Sequence, residues 1–502
     1  MKKLIYILIF LSCLPMMASG AEYTYYFKDD GLTGAQDCDT PAGACKCLSQ
    51  YQDGCDSGDT DMEDLITAAS TGDVVNLLLF MDDTFSFETG TETTQTKYIF
   101  DTANADPHVK VDLYNPGGGS SNPIIDGGVP DFSDPGVLEH NENGSGPLAW
   151  NYLFKFAKNG NATTYSSVKN IHFQNFYGRA IGLGDSSNGA DYFVAESNVF
   201  HNYGMAVIGG HVTHNSRHCT LQYNLVYDGS MLFFHGLDNG LQWPPAIVFG
   251  GSGQNTITAA VDNYVAYNVL YNIAGEGINN AGGTTEYNLI GDTSSAAIHG
   301  GPQRQTVDGT TIMRYNFITM SNSSAYKVLA NTSYDGIDTH DEDEGGSNVN
   351  LAVEIYGNII INRQTGIWLY EGGEVDSSGT PEPFKSIKVF NNTVIDSEAN
   401  NIRIYDCDQL VDGAGKGYIY NNAFIYYNHT DPVIHTQDLR DCAALTTYFT
   451  IANNAYWDET AGDEGVVEAS GTEWHAGVEN VNWYSGNSVG YFCRCWRVER
   501  FC

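Results

Sequence analysis

Asparagine returns in one setting along more than half of this chain. Asn175, Asn198, Asn224, Asn268, Asn288, Asn316, Asn358, Asn392, Asn422 and Asn454 are each followed within two positions by an apolar residue. The intervals are 23, 26, 44, 20, 28, 42, 34, 30 and 32 residues, so a unit of roughly 20–30 residues repeats with insertions. Each unit reads as short strands of period 2 between Gly and Asn breaks, as in Tyr267-Asn268-Val269-Leu270-Tyr271 followed by Gly277-Ile278-Asn279-Asn280. A unit this small cannot bury both strands alone, so neighbours must stack on one shared core. The expectation is an all-β parallel solenoid with rungs ~4.8 Å apart. The repeated Asn would sit at a tight turn and bond to the Asn one rung away.

The N-terminal region supports the same end state. Met62, Leu65, Ile66 and Ala69 form an amphipathic helical stripe after Asp61, and Thr71-Gly72-Asp73-Val74-Val75 turns into a strand. With the strand Tyr25-Tyr26-Phe27, this order resembles the right-handed parallel β-helix proteins of the pectate-lyase-like superfamily. The resemblance spans roughly residues 22 to 460. It implies a capping helix at the end of the coil and leaves function open, because that scaffold carries lyases, hydrolases, epimerases, phage spikes and adhesins. The expected division is a signal peptide at 1–20, an N-terminal cap and first coils at 21–165, a β-helix at 166–460, and a C-terminal cap or tail at 461–502.

Lys2 and Lys3, an apolar run from Leu4 to Met17 and Ala18-Ser19-Gly20 have the order of a secretory signal. A lipoprotein reading through Cys13 is the weaker alternative. No later stretch is apolar enough to span a membrane. The protein is therefore expected to be secreted, extracellular or periplasmic, and to act as a monomer. Export admits disulfides. Cys38, Cys45, Cys47 and Cys55 read as two local staples, against the alternative of a zinc site, for which no His lies near. Cys493, Cys495 and Cys502 stand among Arg494, Arg497 and Arg500, as a pinned basic cap or a frameshifted tail. A formal charge of −38 argues against nucleic acid, whose binding depends on Lys and Arg replacing counterions.

Aligning the second strands of successive units places chemistry. Ile278, Ile298, Ile337, Ile367 and Ile402 fall in one column. If that column points inward, period 2 sends Asn279, His299, Asp338, Trp368 and Arg403 outward together, with His340, Tyr370 and Tyr405 in a second outward column. All are expected on one solvent-facing surface. A purely structural face of stacked polar and aromatic side chains is the plain alternative. The long intervals beside this face bring Trp243 and Lys327, and Arg304 follows His299 closely; with Asn279 and Trp368 these are the candidate substrate-binding residues. His299, Asp338, His340, Tyr370, Arg403 and Tyr405 are the candidate catalytic set.

Gly336-Ile337-Asp338-Thr339-His340-Asp341 also resembles the Gly-Phe-Asp-Pro-His-Asp signature of mannuronan C5-epimerases. This similarity implies that Asp338 and His340 sit at a catalytic subsite on an acidic polysaccharide. Thr339 departs from the family's Pro, and Asp335 stands where the family has its catalytic Tyr, with Tyr334 one place away. Uronate chemistry suits the residue types. Removing a C5 proton needs a cation on the adjacent carboxylate, a base for the proton and an acid for the leaving oxygen. Arg403 or Arg304, His340 or His299, and Tyr370 or Tyr405 supply them. Lyase or epimerase chemistry is thus expected, with a glycoside hydrolase using Asp338 and Glu371 or Glu276, or a non-catalytic carbohydrate-binding protein, as alternatives. Asp341, Glu371 and Asp406 stack one step farther on, as Ca²⁺ ligands or as a solvated acidic rim. No organic cofactor is expected.

Overall fold

The computed structural model describes residues 21–48, 52, 54–70, 73–86, 108–116, 121–128, 132, 152–156, 163–176, 178–183, 190–210, 216–235, 244–249, 262–280, 282–300, 310–328, 334–339, 352–370, 386–405, 416–426, 434–436, 449–458, 467–469, 472–473 and 482–483. Three long sheets run through them. Sheet A has thirteen strands from Glu22–Leu32 to Phe449–Ala452, and sheet B has thirteen from Thr84–Ser86 to Asn482–Trp483. Sheet C has twelve, from Tyr152–Phe156 to Thr472–Glu473. One turn of the coil takes a strand from each, as in Tyr264–Ala266 of A, Val269–Ile273 of B and Ile278–Asn280 of C. Neighbouring turns pair in parallel in every sheet, for example Tyr264↔Thr284, Leu270↔Ile290 and Ile278↔Ile298. The last pair of sheet C, Val467–Ala469 with Thr472–Glu473, is antiparallel. This is a right-handed parallel β-helix.

The core is three inward columns. Sheet A contributes Leu221, Val265, Met313, Ile355, Val389 and Ile419; sheet B contributes Val226, Leu270, Ile290, Ile318, Ile360 and Val394. Sheet C contributes Ile208, Ile247, Ile278, Ile298, Ile337, Ile367 and Ile402, all fully buried. Each such side chain stabilises the fold by about 1.5–3 kcal/mol. No single turn could collect three facing columns, so burial requires stacking. The stack begins before residue 166, since Glu22 already pairs with Val74 and Lys110 with Ser167.

The Asn ladder runs between sheets A and B. From Asn198 to Asn422, each Asn takes the next one's Oδ1 as acceptor for both its backbone N–H and its Nδ2, as in Asn268 to Asn288 at 3.0 Å for both. The same Nδ2 also donates to a backbone carbonyl, in that case Leu221 O at 3.0 Å. Nine of the ten Asn positions belong to it. Asn175 does not: Ile171 fills the ladder position in that turn, its N–H donating to Asn198 Oδ1 at 3.1 Å. Asn175 lies farther along, inside the strand His172–Phe176, with φ 54°, and Asn202 Nδ2 donates to its Oδ1.

At the N-terminal end, Asp61 caps the helix Met62–Thr67 by accepting from Asp64 N at 3.1 Å. Met62, Leu65, Ile66 and Ala69 enter the common core, as the stripe predicts. Cys38 pairs with Cys45 and Cys47 with Cys55, so the four cysteines are two local disulfides and not a zinc site. Among the described residues, no helix is long and apolar enough to cross a membrane.

Candidate functional site

The outward column of sheet C is in register. Val248, Asn279, His299, Asp338, Trp368 and Arg403 are successive strand partners, and the backbone register continues to His435 and Glu468. Tyr370 pairs with Tyr405 two residues farther along. The phase comes from the Ile column: an inward Ile leaves the next residue of the strand no choice but the outer face. The glycine ahead of Ile278, Ile337 and Ile367 comes from the corner. A Cβ on Gly336 would lie 2.4 Å from Gly366 O, and one on Gly366 would lie 2.6 Å from Asn401 O. Gly336 in the six-residue epimerase likeness is therefore accounted for by packing in the coil.

Exposure along the column differs from the expected open face. Asn279, His299 and Asp338 are 3 %, 2 % and 7 % exposed, whereas Trp368 and Arg403 are half-buried. The first three lie outside the hydrophobic interior but are roofed over, so solvent meets the column mainly at its Trp368 and Arg403 end. There the Arg403 guanidinium lies 4.4 Å from the centre of the Trp368 ring, a cation–π contact worth ~0.5–2 kcal/mol that also holds the cation in place. His299 Nδ1 lies 3.1 Å from Glu276 Oε1. Asn279 Oδ1 is buried and has no hydrogen-bond partner among the described residues. An orphaned buried acceptor costs ~1–3 kcal/mol, which a donor on a bound molecule would relieve.

Lys327 stands elsewhere than expected. Its ammonium pairs with Glu398 and lies 5.6 Å from the centre of the Tyr334 ring, while the Tyr334 hydroxyl donates to the same Glu398 carboxylate. Burial and that hydrogen bond raise the Tyr334 pKa. This cluster sits at the corner between sheets B and C, engaged with itself. His340, Trp243, Arg304, Asp341, Glu371 and Asp406 lie outside the described residues, as do the side chains of Tyr370 and Tyr405. The proposed Ca²⁺ ligands are therefore all outside them.

The sequence offers Glu276 only as a hydrolase carboxylate, because its contact with His299 spans one turn and a corner. Arg363 carries no signal there at all. It is fully buried under the same corner, with Nη2 donating to Thr293 Oγ1 at 2.8 Å and to the carbonyls of Thr293, Ser295 and Asp335 at 3.2, 2.7 and 2.8 Å. Burial lowers its pKa to about 10, opposed by Asp335, so it stays charged at neutral pH. It ties three turns together just ahead of the strand that carries Asp338.

Fold and site together define a parallel β-helix protein with a roofed polar column on one sheet. No family model and no curated protein matches the chain. Among solved structures it is similar to a rhamnogalacturonan lyase, at TM-score 0.49 and 12 % identity, covering 86 % of this chain and 87 % of that one. It is also similar to a GH136 lacto-N-biosidase from Eubacterium ramulus, at TM-score 0.46 and 11 % identity, over 86 % of this chain and 67 % of that one. A third likeness is to the pectate lyase Pel9A, at TM-score 0.41 and 12 % identity, over 83 % and 79 %.

Proposed function

We propose that this is a secreted enzyme acting on an acidic polysaccharide through removal of a uronate C5 proton, as a lyase or a C5-epimerase. The observation that carries the reading is the register of His299, Asp338, Trp368 and Arg403 on four successive strands of sheet C. Base, carboxyl group, sugar-stacking aromatic and cation thus fall within three rung spacings, or ~15 Å, about the length of three sugar units. Arg403 is suited to a uronate carboxylate, since its planar fork matches that group and its pose over Trp368 is already set. Three rungs from His299, it holds the carboxylate of a neighbouring sugar and so places the polymer along the column. Burial of His299 and Asp338 keeps water from competing and strengthens charge interactions there. Two disulfides fit an oxidising compartment.

The test is incubation of the protein, freed of residues 1–20, with pectate, alginate and a neutral glycan. Absorbance near 235 nm, reducing ends and uronate composition are followed together. Unsaturated ends or altered composition on a polyuronate are expected. Reducing ends without unsaturation would replace this reading by hydrolysis, and no change on any polymer would reduce the column to a binding face.

A further inference from the structure

Glu276 sits at the corner between sheets B and C, between two glycines that are required for space. A Cβ on Gly275 would lie 2.2 Å from Pro244 O, and one on Gly277 would lie 2.4 Å from Ala297 O. The backbone on both sides of Glu276 is therefore packed against neighbouring chain. Its carboxylate meets His299 Nδ1 at 3.1 Å, with side chains 8 % and 2 % exposed. A carboxylate accepts, so the contact places a proton on Nδ1, and in the neutral imidazole the lone pair is then on Nε2. The next position of the column, Asn279, brings a buried Oδ1 with no donor among the described residues. One rung thus offers a fixed base and the next an acceptor suited to a sugar hydroxyl.

We propose that Glu276 is a positioning residue that holds His299 in the Nδ1–H tautomer and makes its Nε2 the general base of the site. The inference rests on the uronate reading above and adds which group takes the proton. In the step, the C5–H bond breaks and its proton passes to Nε2. In a lyase the electron pair forms the C4–C5 double bond as the C4–O4 bond breaks, and O4 leaves with that bond's pair and takes a proton from water. In an epimerase the pair stays on the carboxylate-stabilised carbanion until water on the other face protonates C5, and the hydroxide left behind takes the proton from Nε2. Glu276 touches no reacting atom. It stabilises the imidazolium that the step creates and keeps the ring oriented.

The experiment compares wild type with Glu276→Gln and Glu276→Asp. It uses steady-state kinetics across pH on the polyuronate turned over fastest, and side-chain ¹⁵N spectra assigned with His299→Gln. In the wild type, Nδ1 is expected to be protonated and Nε2 unprotonated. In E276Q, kcat is expected to fall about a hundredfold or more with KM within threefold. The acid limb of its kcat/KM profile should move to lower pH, because loss of the carboxylate charge favours neutral imidazole. E276D, which keeps the charge, should retain the tautomer and recover part of kcat, and it preserves the test if E276Q does not fold. A wild-type Nε2–H tautomer overturns the assignment, as does a loss of kcat with an unmoved acid limb and tautomer. An active wild type with unaffected variants overturns the role of Glu276 alone. A wild type inactive on every uronate polymer overturns the base role together with the reading it rests on.

Discussion

Asn288 shows how much one residue carries in this fold. Its Oδ1 accepts from both Asn268 N and Asn268 Nδ2 at 3.0 Å, while its Nδ2 donates to Asn316 Oδ1 and Val265 O, each at 3.0 Å. All of this is buried, so Asn288→Ala leaves two donors and three acceptors, the Glu286 carbonyl included, short of partners. At ~1–3 kcal/mol for a buried group left unsatisfied, partly relieved by the remaining contacts, the expected loss is about 2–5 kcal/mol. Asn322→Ala, on an exposed turn, should cost within ~0.5 kcal/mol. Equal denaturation midpoints for the two variants would show that the ladder does not hold the coil. The ladder was legible because an amide with a fixed apolar follower has few other reasons to recur. Asn175 misled because it too precedes an apolar residue, while Ile171 holds the ladder position of its turn. The residue just before each ladder Asn is left-handed. Asn391, Asn421 and Asn453 suit that backbone, but Tyr223, Tyr267, Tyr287 and Tyr315 adopt φ 54–59° there and stack ring on ring at 5.1 Å. Stacking of ~0.5–1.5 kcal/mol per pair offsets a left-handed cost of ~1–2 kcal/mol per residue, a trade that local propensity does not reveal.

At the scale of strands, period 2 conveyed which residues of sheet C share a column, because five Ile residues set the phase. It could not convey cover. Burial of Asn279, His299 and Asp338 depends on what lies above the sheet, and the engagement of Lys327 depends on Glu398, 71 positions away in the chain. Corners were the least legible part: Glu276 and Arg363 act across turns, where no periodicity applies. Sheet B makes a prediction of its own. On its outer face the His172 and His201 rings lie 6.1 Å apart. Burial lowers both pKa values from the ordinary 6.5; His201 lowers His172 further and Asp126 opposes, while Asp228 opposes the shift of His201. The unfolded chain therefore binds these protons more readily than the folded one. Their contribution to stability is complete above pH 6.5 and is lost as pH falls through 6.5 toward the lower folded values. The melting midpoint should drop between pH 7.5 and 5, and a His172→Gln, His201→Gln double variant should drop less. Parallel curves would exclude the pair from the acid response.

The described strands stack into a rod: thirteen at ~4.8 Å spacing put sheets A and B at about 58 Å in length. A net charge of −38 along such a rod opposes an acidic polymer at long range. Salt limits that repulsion, since charges farther than ~8 Å are largely screened at 0.15 M, whereas in the proposed reading Arg403 meets a carboxylate at contact. The distribution of charge, with a cation set on an aromatic ring beside buried base and acid, thus matters more than its total. The central claim is removal of a uronate C5 proton by the outward column of sheet C. The measurement that reaches it most directly is release of deuterium to solvent from a polyuronate labelled at C5, which lyase and epimerase chemistry share and hydrolysis lacks. The account predicts release by the wild type and at least a tenfold slower release by Arg403→Ala. Full retention of the label in polymer that is cleaved or bound would contradict it.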